Sequence, residues 1–120
     1  MEEPAKRSAV ATAPAPGGAP VKVCPEFHEA VELVGKRWTG AILWALIEHP
    51  HYFAELRTAI PGLSDKLLSQ RLRELEEEGI VDRSVHPGSP ARVSYALTDK
   101  GRDLEPAVRE LRDWARRWKA

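Results

Sequence analysis

The stretch spanning residues 64–97 constrains the fold more than any other part of the sequence. It begins with SDKLLSQRLRELEEEG, in which Leu68, Leu72 and Leu75 recur at the spacing of one helix face. Two short alternating segments follow, IVDRSVH and RVSYAL, with the turn sequence PGSPA between them. The pattern predicts a helix followed at once by a β-hairpin, which is the order of recognition helix and wing in a winged helix-turn-helix.

Three helices are predicted before this stretch. PEFHEAVELVG repeats apolar residues every three or four positions, which indicates an amphipathic helix. TGAILWALIEHP is apolar over most of its circumference, which is typical of a helix inside a domain. YFAELRTAIPGL carries Phe53, Leu56 and Ile60 on one face and ends in the turn Pro61-Gly62, so it predicts the first helix of the helix-turn-helix.

The chain after the recognition helix completes the predicted fold. Val81 and Val85 are expected to face the same side of the hairpin as the alternating apolar residues of RVSYAL. TDKGRDLEPAVRELRDWARRWK predicts one amphipathic helix that is capped by Thr98 and kinked at Pro106, because proline removes a backbone donor. The predicted fold class is therefore mainly α with a small β-hairpin, a winged helix-turn-helix with an additional C-terminal helix.

Composition narrows the function classes. The 120 residues allow one domain, and the 18 basic and 18 acidic residues argue against a DNA binder that relies on bulk charge. The single cysteine excludes an internal disulfide, and no Cys/His cluster has zinc-ligand spacing, so neither a metal nor a cofactor is predicted. The sequence has no membrane-spanning apolar run and no signal-peptide core, which predicts a cytoplasmic protein.

The two parts of the chain differ in composition. Residues 1–22 are rich in alanine, proline and glycine without a hydrophobic period, which predicts a disordered tail. Residues 23–120 form the predicted domain. Lys6, Arg7 and Lys22 leave open a tail that helps to hold DNA, beside the simpler interpretation of a solvated tail.

The predicted recognition helix carries hydrogen-bond donors on the side opposite its leucines. Glutamine pairs bidentately with adenine and arginine with guanine, while serine and lysine reach either bases or backbone. Glutamates gather in the second half of the helix, where phosphates would repel them, so the N-terminal half is predicted to enter the major groove. A merely solvated face is the alternative. The predicted DNA-binding residues of this helix are Ser64, Lys66, Ser69, Gln70, Arg71 and Arg73.

Two further segments offer contacts with the DNA backbone. The wing turn HPGSPAR contains Ser89 and Arg92, and a cation there is attracted by the negative potential of a minor groove. Lys36 and Arg37, between the first two helices, are candidates for phosphate contact. For the wing, the alternative is an ordinary hairpin with an exposed arginine. For Lys36 and Arg37, the alternative is a solvated loop.

Cys24 lies directly before the first helix, where the positive end of the helix dipole favours the thiolate, the form that reacts with oxidants and electrophiles. A spectator thiol is the alternative. Aromatic residues such as Trp38 and Trp44 either line a ligand pocket or pack in the core and in dimer contacts. The histidines lie at no ligand or triad spacing, so an enzyme is not predicted.

Taken together, these segments resemble the HxlR-type family of bacterial winged helix-turn-helix regulators, which are similar in shape to MarR-like repressors. The resemblance implies a homodimer that pairs through its first and last helices and binds inverted-repeat operators. In some members a cysteine matching Cys24 senses oxidants, quinones or aldehydes. Without a second cysteine, any disulfide here joins two chains or a small thiol. The matching segments are CP (24–25), GKRW (35–38), FAELR (53–57), IPGLS (60–64), LSQRLREL (68–75), GIV (79–81), VSY (93–95) and LTDKG (97–101).

The sequence therefore predicts a transcriptional regulator that binds double-stranded DNA as a homodimer, gated by modification of Cys24 or by a small ligand. A change at Cys24 need only alter the spacing of the two recognition helices to change affinity. The alternative is a winged-helix module that docks a protein partner without binding specific DNA.

Overall fold

The computed structural model describes residues 13–119. Residues 13–24 are exposed and form neither helix nor strand, and residues 1–12 of the predicted tail, with Lys6 and Arg7, lie outside the described part of the chain. The elements that follow confirm the predicted winged helix. They are α1 (Pro25–Val34), α2 (Thr39–Glu48), β1 (His51–Tyr52), α3 (Phe53–Ala59), α4 (Asp65–Glu77), β2 (Val81–His86), β3 (Arg92–Leu97), α5 (Asp99–Arg102) and α6 (Glu105–Trp118).

A cluster of buried aliphatic side chains joins α2, α3 and α4 to the base of the hairpin. Burying one such side chain contributes about 1.5–3 kcal/mol, so the three leucines of α4 determine which face of that helix remains in solvent. The members of the cluster with at most 1% exposure are Ile42, Leu43, Leu46, Leu56, Leu68, Leu72, Leu75 and Val81.

The predicted hairpin is part of a three-stranded antiparallel sheet with the order β1-β3-β2. The two-residue strand β1 was not predicted, because a segment this short has no alternation; it places Tyr52 opposite Ser94. At the base of the hairpin Val81 is buried, but Val85 is 54% exposed. The expected shared apolar face is therefore buried only at its base, and the outer half of the hairpin projects as a wing. The Ser89-Pro90 peptide bond in the wing turn is cis.

The C-terminal segment folds as two helices, so the prediction of one helix kinked at Pro106 is wrong. Pro106 lies in the first turn of α6, where its missing N–H costs no intrahelical hydrogen bond. Thr98 caps α5 as predicted, since its Oγ1 accepts a hydrogen bond from the Gly101 N–H at 3.0 Å. A Cβ on Gly101 would overlap the carbonyl oxygen of Ile80, which explains the glycine at this position.

Two helices leave apolar side chains uncovered. On α1, Phe27 is 64% exposed and Val31 is 44% exposed, while on α6 the values are 67% for Leu111 and 48% for Trp114. Neither helix contains a fully buried residue. Exposed large apolar side chains grouped on one helix face are typical of interaction surfaces.

Candidate nucleic-acid interface

The start of α4 is held by defined contacts. Ser64 Oγ accepts a hydrogen bond from the Leu67 N–H at 3.1 Å, which confirms the predicted N-cap. Arg57 of α3 pairs with Asp65 at 2.8 Å and ties the two helices of the helix-turn-helix together. The chain leaves α4 at Gly79, whose φ of 76° favours glycine. These contacts give the helix one orientation relative to the rest of the domain.

The exposed side of α4 carries a stripe of donor side chains. Lys66, Gln70 and Arg73 are exposed and lie four and then three residues apart, so they share one side of the helix. Ser69 is half-buried and faces the hairpin, where it lines a cleft with residues of the wing. The late glutamates Glu76 and Glu77 are exposed beyond this stripe. The donors of α4 therefore lie between Lys66 and Arg73, and the exposed negative charges of Glu76 and Glu77 lie at its C-terminal end.

Glu74 forms a hub of polar contacts in the middle of α4. Its carboxylate lies 3.3 Å from Lys36 Nζ, 3.3 Å from Arg71 Nη1 and 3.4 Å from Gln70 Nε2. Desolvation raises the pKa of Glu74, but hydrogen bonds from Lys36 and Gln70 and the charges of Lys36 and Arg71 outweigh it and lower the pKa below the ordinary value. The ionised carboxylate draws Lys36 onto α4, while 46% of the lysine side chain stays exposed.

Arg71 holds a loop rather than facing solvent. Its side chain is only 14% exposed, and its Nε donates a hydrogen bond to the carbonyl oxygen of Arg37 at 2.9 Å. The bond fixes the loop before α2, in which Trp38 has a positive φ of 78°. Arg71, which the sequence predicted as a DNA contact, is therefore engaged within the protein and supports the loop that carries Lys36 and Arg37. Arg37 itself is exposed, with its guanidinium 5.2 Å from the centre of the Trp38 ring.

The wing carries a cluster of stacked and hydrogen-bonded side chains near its turn, where His86 pairs with Arg92 as the last pair of the hairpin. The guanidinium of Arg92 lies 3.5 Å from the centre of the Tyr52 ring. His86 meets the same ring edge-on at 5.4 Å, and its Nε2 lies 2.8 Å from Ser94 Oγ. Ser89 is exposed in the turn beyond this cluster. The wing therefore presents Arg92 beside the cleft that Ser69 lines from α4.

Cys24 is exposed directly before α1. Its Sγ donates a hydrogen bond to Glu26 Oε1 at 3.0 Å, and this bond is the largest cause of the lowered pKa of Glu26. Glu26 also lines a groove of about 590 Å³ between α1 and the start of the C-terminal segment. That volume lies within the range of small-ligand sites. Apolar side chains such as Leu33 and Leu104 form part of its wall.

The aromatic side chains fall into different environments. Trp38 packs against the core, which agrees with the packing interpretation. Trp44 is covered from α6 by the guanidinium groups of Arg109 and Arg112, 5.3 and 4.8 Å from the centres of its rings. Neither tryptophan lines the groove beside Glu26, but both line a second cleft of about 630 Å³ beside α2. The described fold therefore shows both tryptophans in packing contacts and on the wall of a cleft.

Two residues of this surface were missed from the sequence. Tyr52 lies beside the wing only because β1 pairs with β3, and Glu74 was grouped with the solvated glutamates although it organises the centre of α4. An aromatic residue directly before a helix was the available signal for Tyr52, but the sequence does not show that its partners, Ser94 and Arg92, lie beside it. Within residues 13–119, no group of three or more His, Cys, Asp or Glu is arranged to hold a metal ion, and no helix has the length and apolarity needed to cross a membrane.

Comparison with known proteins places this geometry among regulators. The family model HxlR-like helix-turn-helix matches residues 33–120. The HTH-type transcriptional regulator YvaP of Bacillus subtilis, itself uncharacterised, is 44% identical over 97 residues, which cover 81% of this chain and 90% of YvaP. Diamide-treated YodB of B. subtilis superposes with a TM-score of 0.69 at 41% identity, covering 82% of this chain and 97% of YodB. Quinone-bound YodB gives a TM-score of 0.70 at 40% identity, covering 80% and 100%.

Proposed function

Because this chain belongs to the HxlR-like helix-turn-helix family and is a transcriptional regulator, we propose that it binds an inverted-repeat operator as a cytoplasmic homodimer whose affinity is gated at Cys24 or by a small ligand. The observation that carries the proposal is the exposed stripe of Lys66, Gln70 and Arg73, which runs from the first turn of α4 past its midpoint. The leucines on the opposite face hold this stripe outward.

In the proposed complex, the N-terminal half of α4 lies in the major groove. Gln70 and Arg73 have side chains that discriminate bases, whereas Ser64, Lys66 and Ser69 are suited to phosphates or to either partner. The glutamates at the far end of α4 stay away from the phosphates. This separation of donors and negative charges along α4 supports one orientation of the helix in the major groove.

Backbone contacts are proposed on both sides of the recognition helix. Arg92 and Ser89 belong to the wing, and Arg37 and Lys36 belong to the loop that Arg71 fixes against α4. The net charge of the chain is zero, so DNA affinity depends on where these cations lie rather than on their number.

The uncovered faces of α1 and α6 support the homodimer. Pairing them with a second copy would bury Phe27, Val31, Leu111 and Trp114, which solvent covers in the single chain. A two-fold axis would then place the two copies of α4 about one DNA turn apart, roughly 34 Å. Exposed charges of opposite sign on the two helices are also complementary: Glu26, Glu29 and Glu32 on α1, and Arg116, Arg117 and Lys119 at the end of α6.

Gating at Cys24 is supported by the position of the thiol directly before α1, one of the proposed dimer helices. A modification there adds volume or charge next to Glu26 and the adjoining groove. The relative YodB has been solved after diamide treatment and with a quinone bound, so chemistry of this class is a suitable probe. A small rotation of α1 would change the separation of the two recognition helices and thus the operator affinity.

The direct test is an anisotropy titration against the intergenic DNA upstream of the protein's own gene, at two salt concentrations and with excess competitor DNA. We expect competitor-resistant binding that weakens steeply with salt, because cations that contact phosphates release counterions. Weak, salt-insensitive binding to this DNA and to fragments from a genome-wide selection would contradict the proposal and point to a protein partner for the winged helix.

Replacing Cys24 by serine is expected to abolish the response to diamide without changing the basal operator affinity. Diamide takes two electrons from two thiolates, so the product from this chain is a disulfide between two copies or with a small thiol, and the diamide becomes a hydrazine. Mass spectrometry identifies the product and a parallel titration measures DNA release. Equal release from the wild type and from Cys24→Ser would remove Cys24 from the mechanism.

A further inference from the structure

The position of the wing arginine depends on one aromatic side chain. Arg92 is exposed, and a long side chain on a projecting hairpin would normally sample many rotamers and lose that freedom when it is ordered on binding. Here the guanidinium lies 3.5 Å from the centre of the Tyr52 ring. A stacked guanidinium keeps the N–H groups at its edge available for a phosphate.

Tyr52 is itself fixed by three elements. Its residue pairs with Ser94 in the sheet, and its backbone N–H donates to Glu55 Oε1 at 2.8 Å at the start of α3. His86 from β2 contacts its ring edge-on, and His86 Nε2 lies 2.8 Å from Ser94 Oγ. The backbone of Tyr52 is therefore held by β3 and α3, and its ring is contacted by His86 of β2.

The stacked pair borders a cleft that the recognition helix also lines. Tyr52, Arg92 and Ser69 line the same cleft of about 360 Å³ between α4 and the hairpin. A guanidinium and a serine hydroxyl that line one cleft are donors of the kind that phosphate oxygens accept. A DNA strand that passes from the major groove towards the wing would place a phosphate at this cleft.

We infer that Tyr52 is a positioning residue that holds the Arg92 guanidinium at the mouth of this cleft, ready for one backbone phosphate between the recognition helix and the wing. The inference rests on the proposed function, since it concerns how this chain contacts DNA. Tyr52 acts through Arg92, and its ring face, not its hydroxyl, performs this role.

The test compares Tyr52→Leu, Tyr52→Phe, Arg92→Ala and the double change Tyr52→Leu/Arg92→Ala in operator titrations over a range of salt. Arg92→Ala is expected to weaken binding about tenfold and to reduce the salt slope by about one per subunit. Tyr52→Leu should reproduce much of both effects, whereas Tyr52→Phe should stay within about twofold of the wild type because the stacking face remains. In the Arg92→Ala background, Tyr52→Leu should have no further effect.

A structural role alone predicts different results. If Tyr52→Leu lowers affinity equally in the presence and absence of Arg92, or leaves the salt slope unchanged, the inference is overturned while the proposed function stands. A wild-type protein without competitor-resistant binding overturns the proposed function and the inference with it. Thermal unfolding of each variant shows whether the fold is kept. The ring-current shift of the Arg92 Nε–H, measured without DNA, reports the stack: we expect it in the wild type and in Tyr52→Phe, and we expect its loss in Tyr52→Leu.

Discussion

Replacing Gln70 and Arg73 together by alanine is expected to remove most of the operator affinity and to leave the fold intact. Each side chain is proposed to contact a base edge, so each loss should cost about 1–3 kcal/mol of binding free energy and relax specificity at one base position. Both residues are exposed, and substitutions at such positions change the free energy of unfolding by only about 0.5 kcal/mol. Anisotropy titrations and thermal denaturation of the same preparations measure the two quantities.

A matched control for this variant is Arg102→Ala. It removes the same charge as Arg73→Ala, but from α5, where the side chain is 50% exposed and pairs with Glu105 at 3.5 Å. We expect little change in operator affinity from the control. Equal losses from the two arginine changes would mean that binding follows overall charge, and unchanged affinity in the Gln70/Arg73 variant would remove α4 from base recognition.

Introducing glutamate at both Leu111 and Trp114 is expected to convert the protein into a monomer. These side chains are 67% and 48% exposed in the single chain, so the change leaves the core untouched, but it would bury two charges in the proposed interface. A monomer contacts only one half-site, so operator affinity should fall about 10²- to 10⁴-fold through the loss of bivalent binding. Sedimentation gives the mass, and titration with full and half operators gives the affinity.

Val85→Glu serves as the control for the dimer variant. Val85 is another large apolar side chain, 54% exposed, but it lies on the outer half of the hairpin. This control should remain dimeric. A Leu111/Trp114 variant that still sediments as a dimer would place the interface elsewhere, and a wild type that sediments as a monomer would contradict the homodimer itself.

The proposed sensor and the proposed interface meet on one helix. Cys24 lies directly before α1, and Phe27 and Val31 follow within its first two turns. The loop after α1 is fixed to the recognition helix by the bond from Arg71 to the Arg37 carbonyl and by the ion pair of Lys36 with Glu74. In the proposed mechanism, this continuous set of contacts transmits a displacement of α1 to α4.

Local patterns were sufficient for most elements of the fold. Ser64 and Thr98 cap helices where the sequence predicted caps, because a hydroxyl side chain bonds to a backbone N–H three residues away. The leucine stripe of α4 and the hairpin strands follow from periods of 3.6 and 2 residues. The error at Pro106 arose because proline excludes a helix interior but does not say whether the chain kinks there or begins a new helix.

The sequence by itself determined the order of helices and strands, the buried face of the recognition helix and the family to which the chain belongs, since all of these depend on residues close together in the chain. Only the tertiary structure decided which exposed side chains act together. Arg71 bonds to a carbonyl 34 positions earlier, and Arg92 stacks on Tyr52 because β1 pairs with β3. Such contacts depend on how whole helices and strands pack against one another, and the hydrophobic periodicity of a single segment does not contain that information.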